Sequence, residues 1–242
     1  MEASISKERF ATYLNVLGGD FSRALALYEE NTSLGEAFYR PLQTVEIVLR
    51  NAFHSYLSSK LGRADWYNTR NLLSQKALGE VIAIIERLKD DNKETRGWTL
   101  QVPDVVATLS FGFWVGLSHK HNQDELWTSK VALYDAIKHY GRKPLRSDVY
   151  KVLNELRMLR NRVAHHRPLF KRDSLADLEA ILTVIGWFCP KTADWVGQKN
   201  TLRDRLSSFR ALPEARRNLD RKAAEAKVAA LRLPPKPRPG PA

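Results

Sequence analysis

The segment from residue 159 to residue 168 concentrates side chains that could act on a phosphodiester. It places Arg160, Asn161 and His165 near the end of an amphipathic stretch. Arginine can grip a phosphate through two parallel hydrogen bonds, and histidine can take a proton from a ribose hydroxyl or return one near neutral pH. Asn161 would orient the histidine or bind phosphate as a neutral donor. These residue types suit metal-independent cleavage of RNA by attack of its own 2′-hydroxyl on the adjacent phosphate.

The spacing of Arg160 and His165 requires a helix that ends close to the histidine. On an uninterrupted helix, five positions separate the two side chains by about 140° around the axis. Pro168 disfavours helical geometry at Arg167, so the helix is expected to end near residues 164–166 and to let His165 turn back toward Arg160. Neighbouring histidines are also common in plain helix caps, and that interpretation stays open.

A second predicted helix carries Glu46 and Arg50 one turn apart, with Asn51 next in sequence. The two charged residues could form an ion pair on a partly buried helix, worth about 0.2–0.5 kcal/mol. Alternatively, all three residues line the same cleft as the histidine motif. The pair His119 and His121 has no cysteine nearby and is expected in a polar loop, so we expect no metal ion and no cofactor.

Length and charge limit the class of protein. With 242 residues, 43% of them hydrophobic, the chain can bury one sizeable core, or one core and a small appendage. The formal net charge is +12, of which residues 200–242 carry +7, from eleven Lys and Arg against four Asp and Glu. A basic balance favours polyanionic partners such as nucleic acid or an acidic membrane surface, although solubility alone explains it as well.

Targeting and redox signals predict a cytoplasmic protein without a membrane span. The first ten residues lack an apolar signal core, and the longest uncharged run, 105–118, has fourteen residues, fewer than the roughly 20 that cross a bilayer. The single cysteine, Cys189, cannot form an intramolecular disulfide and is expected to be a small buried hydrophobic residue. This cysteine usage fits a reducing compartment.

Apolar residues recur at helical spacing along most of the chain, and few segments alternate as strands do, so the predicted fold class is all-α. A capping box at residues 33–36 is expected to start one helix, Pro41 to kink that helix or move its start, and Gly62 to end it. The apolar run after residue 104 is expected to place aromatic residues in the core, namely Phe111, Phe113 and Trp114.

Further helices are predicted over residues 126–140, from a cap at Ser147, and from Ser174 to Cys189. The chain then changes character: residues 201–232 are rich in Arg, Lys, Ala and Leu, and a Pro-rich stretch follows. We therefore predict a helical domain over residues 1–200 and, over residues 201–242, a basic helix with a disordered tail. By default such a tail is a solvated appendage, and as an alternative it is an arm with affinity for RNA.

Four short motifs together resemble the Abi-like, or abortive-infection, family of the AbiD and AbiF type. The first, Arg160-Asn161-x-x-Ala164-His165, is similar to the Arg-x4-6-His motif of the HEPN superfamily in its common Arg-Asn-x-x-x-His form. The other three follow the family's order, and they are Gly19-Asp20 with Ala24-Leu25 and Leu27-Tyr28, then Glu46 to Asn51, then Ser110 to Trp114. The resemblance spans roughly residues 8–190.

The resemblance implies an all-α, HEPN-like helical bundle with additional helices and a basic C-terminal tail. It also implies a metal-independent endoribonuclease of antiphage defence, acting on RNA as a homodimer that brings two copies of the motif to one site. A regulatory small RNA or an antitoxin is an expected further partner. The residues assigned to catalysis are Arg160, Asn161 and His165, and those assigned to RNA binding are Arg162, His166 and Arg167.

One departure from the family pattern bears on this assignment. Family members often carry glutamate at the position of Arg167, where a positive charge would strengthen phosphate binding but disfavour proton uptake by a neighbouring histidine. Two alternatives to catalysis therefore stay open. A non-catalytic RNA-binding module would keep the motif to grip phosphate, and an interaction protein would recognise a phage or host protein through its helical faces.

Overall fold

The computed structural model describes residues 6–232, apart from the side chains of Lys7 and of residues 222–232. Within this range the chain has no strand, which confirms the predicted all-α class. The α-helices are α1 (Lys7–Leu14), α2 (Phe21–Leu61), α3 (Gln75–Asp91), α4 (Val102–Thr108), α5 (Phe111–Gly116), α6 (Arg146–Ala164), α7 (Ser174–Phe188), α8 (Pro190–Gln198), α9 (Leu202–Ser208) and α10 (Ala211–Arg232). Shorter 3₁₀ or π turns occupy Trp66–Asn68, Lys120–Asn122, Gln123–Thr128 and Leu133–Ala136. Among these described helices, none combines the length and the apolar character that a bilayer crossing needs.

The described residues form two compact units that do not follow the order of the sequence. The first contains residues up to 36, residues 168–174 and residues from 202 onward, and the second contains residues 37–167 and 175–201. The predicted domain boundary at residue 200 lies next to the change from the second unit, which includes residue 201, to the first unit, which includes residue 202. A folding domain over residues 1–200, and its likeness to a HEPN bundle, stay predictions. The predicted Pro-rich tail, residues 234–241, lies outside the described residues.

In the first unit, the basic segment that follows residue 201 is folded up to residue 221, the last residue whose side chain is described. It forms α9 and α10 rather than one helix, and Leu202 and Leu212 are buried. The Glu30 carboxylate accepts the backbone amides of residues 210–212 at 2.7 to 3.0 Å. A carboxylate at a helix N-terminus bonds its free amides and stabilises its positive dipole end. Up to residue 221 this segment is therefore not the solvated appendage expected from its charge.

The core of the second unit is built from helix faces that repeat every three or four positions. Helix α5 packs against α6, and α3 packs against α4 and α5. The Trp66 ring lies 6.4 Å from that of Phe113 and 6.0 Å from that of Trp114, between centroids. The expected core position of the aromatic run in α5 is thus confirmed. Other buried residues of this core are Val45, Leu49, Phe53 and Leu57 on α2 and Val149, Leu153, Leu156 and Leu159 on α6.

Pro41 lies inside α2, and it neither starts nor ends the helix. A proline has no backbone N–H, so the carbonyl four residues earlier, that of Ala37, loses its usual helical donor. The side-chain Nδ2 of Asn200 donates to this carbonyl at 2.9 Å and replaces the missing bond. The helix can therefore continue to Leu61, just before the predicted stop at Gly62.

Three predictions about individual helices are wrong: two helix starts, and one helix that does not form. The capping box at residues 33–36 lies within α2, because buried apolar residues on both sides, such as Leu27 and Phe38, keep the helix continuous. The helix expected over residues 126–140 is broken into short turns, and Ala132 has a left-handed φ of 51°. Helix α6 begins at Arg146, one residue before the serine expected to cap it, without a side-chain cap.

His54, on α2, accepts a hydrogen bond from the buried Trp66, with Nδ1 3.0 Å from the indole Nε1. Burial, and then the nearby Arg50 charge, lower the pKa of His54. The folded state therefore favours the neutral imidazole. Below about pH 6.5, the ordinary pKa of histidine, the unfolded chain takes up a proton that the folded chain does not, and stability falls.

We expect His54→Gln to reduce this loss of stability in acid. The glutamine amide oxygen can accept the Trp66 N–H and does not titrate. The free energy of unfolding, measured by urea unfolding from about pH 7 to about pH 5, should therefore fall less steeply for the variant than for the wild type. Equal slopes for the two proteins would contradict the assignment of the neutral form to His54.

Candidate functional site

Helix α6 ends at Ala164 with a Schellman cap. His166 N donates to the carbonyl of Val163 at 3.0 Å. Arg167 N donates to the carbonyl of Arg162 at 2.8 Å. These two bonds use carbonyls of the last turn and direct the chain away from the helix axis. The helix end predicted from Pro168, four residues beyond Ala164, is thus confirmed.

His166 occupies the left-handed position of this cap, with a φ of 52°. Glycine is the usual residue there, because a Cβ in the left-handed conformation costs roughly 1–2 kcal/mol. A strained histidine at an exposed turn is a reason to look for a function of its side chain.

We expect His166→Gly to raise the free energy of unfolding by about 0.5–1 kcal/mol, because glycine adopts this conformation without strain. His166→Ala is the matched control, since it removes the imidazole but keeps the Cβ, and it should leave stability close to that of the wild type. Urea unfolding followed by circular dichroism measures both. A less stable glycine variant would mean that the imidazole itself makes a stabilising contact.

Arg160 lies on the last turn of α6 and contacts Glu46 on α2. The distance from Arg160 Nε to Glu46 Oε2 is 3.5 Å, and the two side chains are 40% and 26% exposed. No other residue in the described part of the chain bonds to this guanidinium. Its two terminal nitrogens therefore remain available to a ligand such as a phosphate, which arginine can bind through both.

Arg50 and Asn51 bond to each other rather than to the motif. Arg50 Nε donates to Asn51 Oδ1 at 3.3 Å, and no ion pair joins Arg50 to Glu46 among the described residues. The alternative of an isolated ion pair on α2 is therefore wrong. The structure brings Glu46 to Arg160, while Arg50 and Asn51 lie one turn further along α2, where Arg50 acts on the pKa of His54.

His165 lies just beyond α6 and is exposed. Its backbone N donates to the Asn161 carbonyl at 3.0 Å, and within residues 6–232 its side chain makes no hydrogen bond to Arg160. Both side chains are accessible to solvent near the same helix end, and a bound ligand rather than a direct bond would have to connect them. Of the neighbours, Asn161 is half-buried and Arg167 is exposed.

Metal ligands do not gather at this end of the helix. Among the described residues, no three His, Cys, Asp or Glu side chains converge in a way that could hold a metal ion.

Cys189 is half-buried rather than buried as expected, because it lies at the N-cap of α8. Thr192 Oγ1 donates to Cys189 Sγ at 3.1 Å, and this bond is the main cause of the lowered pKa of the thiol.

A cavity of about 860 Å³ in the second unit is lined in part by residues that could not be assigned a role from the sequence. Three of them, Tyr150, Asn154 and Arg157, lie on α6 at positions i, i+4 and i+7. A polar stripe at this spacing marks one face of a helix and could have been found in the sequence. His119 and His121, expected in a polar loop, line the same cavity.

Comparison with known proteins gives one match. A family model described as Abi-like protein matches residues 4–171, more than half of the chain, and this range includes α1 to α6 with the whole Arg160–His165 segment. No curated protein matches the chain, and neither does any solved structure.

Proposed function

We propose that this chain, which belongs to the Abi-like protein family, is a metal-independent endoribonuclease. Membership of the family suggests a role in abortive-infection defence. One observation supports the catalytic part: Arg160 and His165 are both accessible near one end of α6, and Arg160 Nε lies 3.5 Å from Glu46 Oε2. Cleavage of cellular RNA would then halt an infected cell before phage can multiply.

The proposed reaction uses these two side chains on one phosphodiester. Arg160 binds the non-bridging oxygens of the phosphate and stabilises the negative charge that grows in the transition state. His165 takes the proton of the 2′-hydroxyl, whose oxygen attacks the phosphorus. The bond to the 5′-oxygen breaks, and the imidazolium returns the proton to that oxygen. The products carry a 2′,3′-cyclic phosphate and a 5′-hydroxyl.

Glu46 is a positioning residue in this proposal. It cannot bind phosphate itself, but its contact with Nε limits the orientations that the Arg160 guanidinium can take. Asn161, half-buried in the last turn of α6, is assigned to orienting the imidazole of His165 through its side-chain amide. The exposed His166 and Arg167 would bind the flanking phosphates, together with Arg162, whose carbonyl holds the cap.

RNA is the proposed substrate, and a homodimer the proposed active form, as the family resemblance implies. Two copies of the motif at one site would double the number of guanidinium and imidazole groups around the scissile phosphate. Restraint of a toxic nuclease between infections is assigned to a small RNA or an antitoxin.

The purified full-length protein should cleave single-stranded RNA in the presence of EDTA, because no step requires a metal ion. Mass spectrometry of the fragments should find 2′,3′-cyclic phosphate ends. Omission of EDTA and addition of Mg²⁺ is the control and should not change the rate. Salt-sensitive RNA binding without any product under either condition would contradict the proposal and favour the non-catalytic RNA-binding alternative.

A further inference from the structure

The cavity beside α5 and α6 is separate in its residues from the Arg160–His165 motif. Its volume of about 860 Å³ lies within the range of ligand-binding sites in proteins. All of its lining residues belong to the second unit. They come from the start of α3, from α5 and the turns after it, and from the part of α6 between Tyr150 and Arg157.

Positively charged and titratable groups outnumber the acidic ones in this lining. Lys76 and Arg157 carry positive charges, and His119 and His121 add two imidazoles, while Glu80 is the single carboxylate among the lining residues described. Such a balance favours a ligand that carries negative charge. Helix α3 adds to it, because its first residues line the cavity and the N-terminal end of a helix prefers anions; of its amides, that of Ala77 is bonded to Ser74 Oγ at 3.4 Å.

Arg157 is held in place within the cavity wall. Asn154 Oδ1 accepts from Arg157 Nε at 3.1 Å and from Arg157 Nη2 at 2.8 Å. The bonds leave Nη1 for a ligand, and they reduce the entropy that an arginine loses when it binds a phosphate.

Planar rings form another part of the wall. The centroid of the His119 ring is 5.0 Å from that of Tyr150, edge to face, and 4.7 Å from that of His121. Burial is the main cause of a lowered pKa of His119, which favours the neutral ring. Its Nδ1 accepts the backbone N–H of His121 at 3.4 Å, so Nε2–H is left as a donor for a ligand. Neutral aromatic surfaces next to cations are the combination that binds a base together with its phosphate.

We propose that this cavity binds a nucleoside phosphate, with the phosphate on Arg157 and Lys76 and the base against the His119, His121 and Tyr150 rings. The ligand is a free nucleotide or one nucleotide of an RNA strand, which share this chemistry. The proposal does not rest on cleavage of RNA, because binding can be measured whether or not the protein is a nuclease.

Calorimetric titration of the full-length protein with AMP, adenosine and inorganic phosphate tests the site. A hexaribonucleotide with 2′-O-methyl groups, which cannot be cleaved by 2′-hydroxyl attack, represents the strand. We expect saturable binding of AMP or of the hexamer, at least about tenfold tighter than binding of adenosine or phosphate alone. Binding of AMP assigns the site to a free nucleotide, and binding of the hexamer without AMP assigns it to a strand.

Arg157→Gln and His121→Ala should each weaken this binding, Arg157→Gln by about tenfold or more. Arg87→Gln is the matched control, because Arg87 is exposed on α3 and does not line the cavity, and it should bind as the wild type does. The proposal is overturned if neither AMP nor the hexamer binds, if phosphate binds as tightly as they do, or if Arg157→Gln binds as well as Arg87→Gln. Circular dichroism spectra verify that the variants are folded.

Discussion

Replacing His165 by alanine is expected to lower RNA cleavage by about 10²–10⁴-fold, the usual contribution of a general base. The fold should not change, because His165 is exposed beyond the end of α6 and its side chain makes no hydrogen bond within the described residues. The measurement is the rate of cleavage of a labelled RNA by purified protein, beside growth arrest in cells that express the same variant.

Arg160→Ala should cause a comparable loss of cleavage, and Arg160→Lys should not restore it fully, because a lysine cannot bind two phosphate oxygens side by side. His139→Ala is the matched control, since His139 is another exposed histidine of the second unit and is not assigned to the site. Cleavage by His165→Ala at the rate of His139→Ala would eliminate the proposed mechanism, and growth arrest would then require another cause.

Trp114→Ala is expected to lower the free energy of unfolding by about 3–5 kcal/mol, the largest effect on stability that we predict. Trp114 is 0% exposed, and its ring packs against those of Trp66 and Phe113 in the core of the second unit. An alanine would leave a cavity in the core beside α5, and α5 packs directly on the helix that carries Arg160. Urea unfolding followed by circular dichroism measures the loss.

Trp114→Phe is the control for this substitution. It keeps an aromatic ring in the cluster, and it removes the indole Nε1, which is buried without a hydrogen-bond partner in the described part of the protein. Burying an N–H without a partner costs free energy, so part of the lost packing is offset and the expected cost is about 1 kcal/mol or less. If Trp114→Ala were as stable as Trp114→Phe, the aromatic run of α5 would not be a core element and a role in stacking bases would gain support.

Helices with a strong apolar period could be predicted from the sequence, and their boundaries often could not. The faces of α2 and α6 follow the spacing that buries one side of a helix, so their existence is a local property of the chain. The capping box at residues 33–36 failed because a local signal worth about 1 kcal/mol competes with burial of several large side chains in one continuous helix. Pro41 is tolerated for a reason that lies far away in the chain, the side-chain amide of Asn200.

The candidate site, too, could be predicted from the sequence only in part. Residue types and their order predicted the end of α6 and named Arg160 and His165, because a proline restricts its neighbours and because the chemistry of a guanidinium and an imidazole is intrinsic to them. The sequence could not show that Glu46 contacts Arg160, since Glu46 is equally able to pair with Arg50, one turn away on the same helix. The packing of the second unit decided between them.

By itself, then, the sequence determined the all-α class, the buried faces of the main helices and the residues of one candidate motif, all of which depend on neighbours within a few positions. Only the tertiary structure decided the contact between Glu46 and Arg160, and the cavity that Lys76, His119 and Arg157 line together. Such groupings join residues that are tens of positions apart, and no local period encodes which of many polar side chains will meet once the apolar faces are buried.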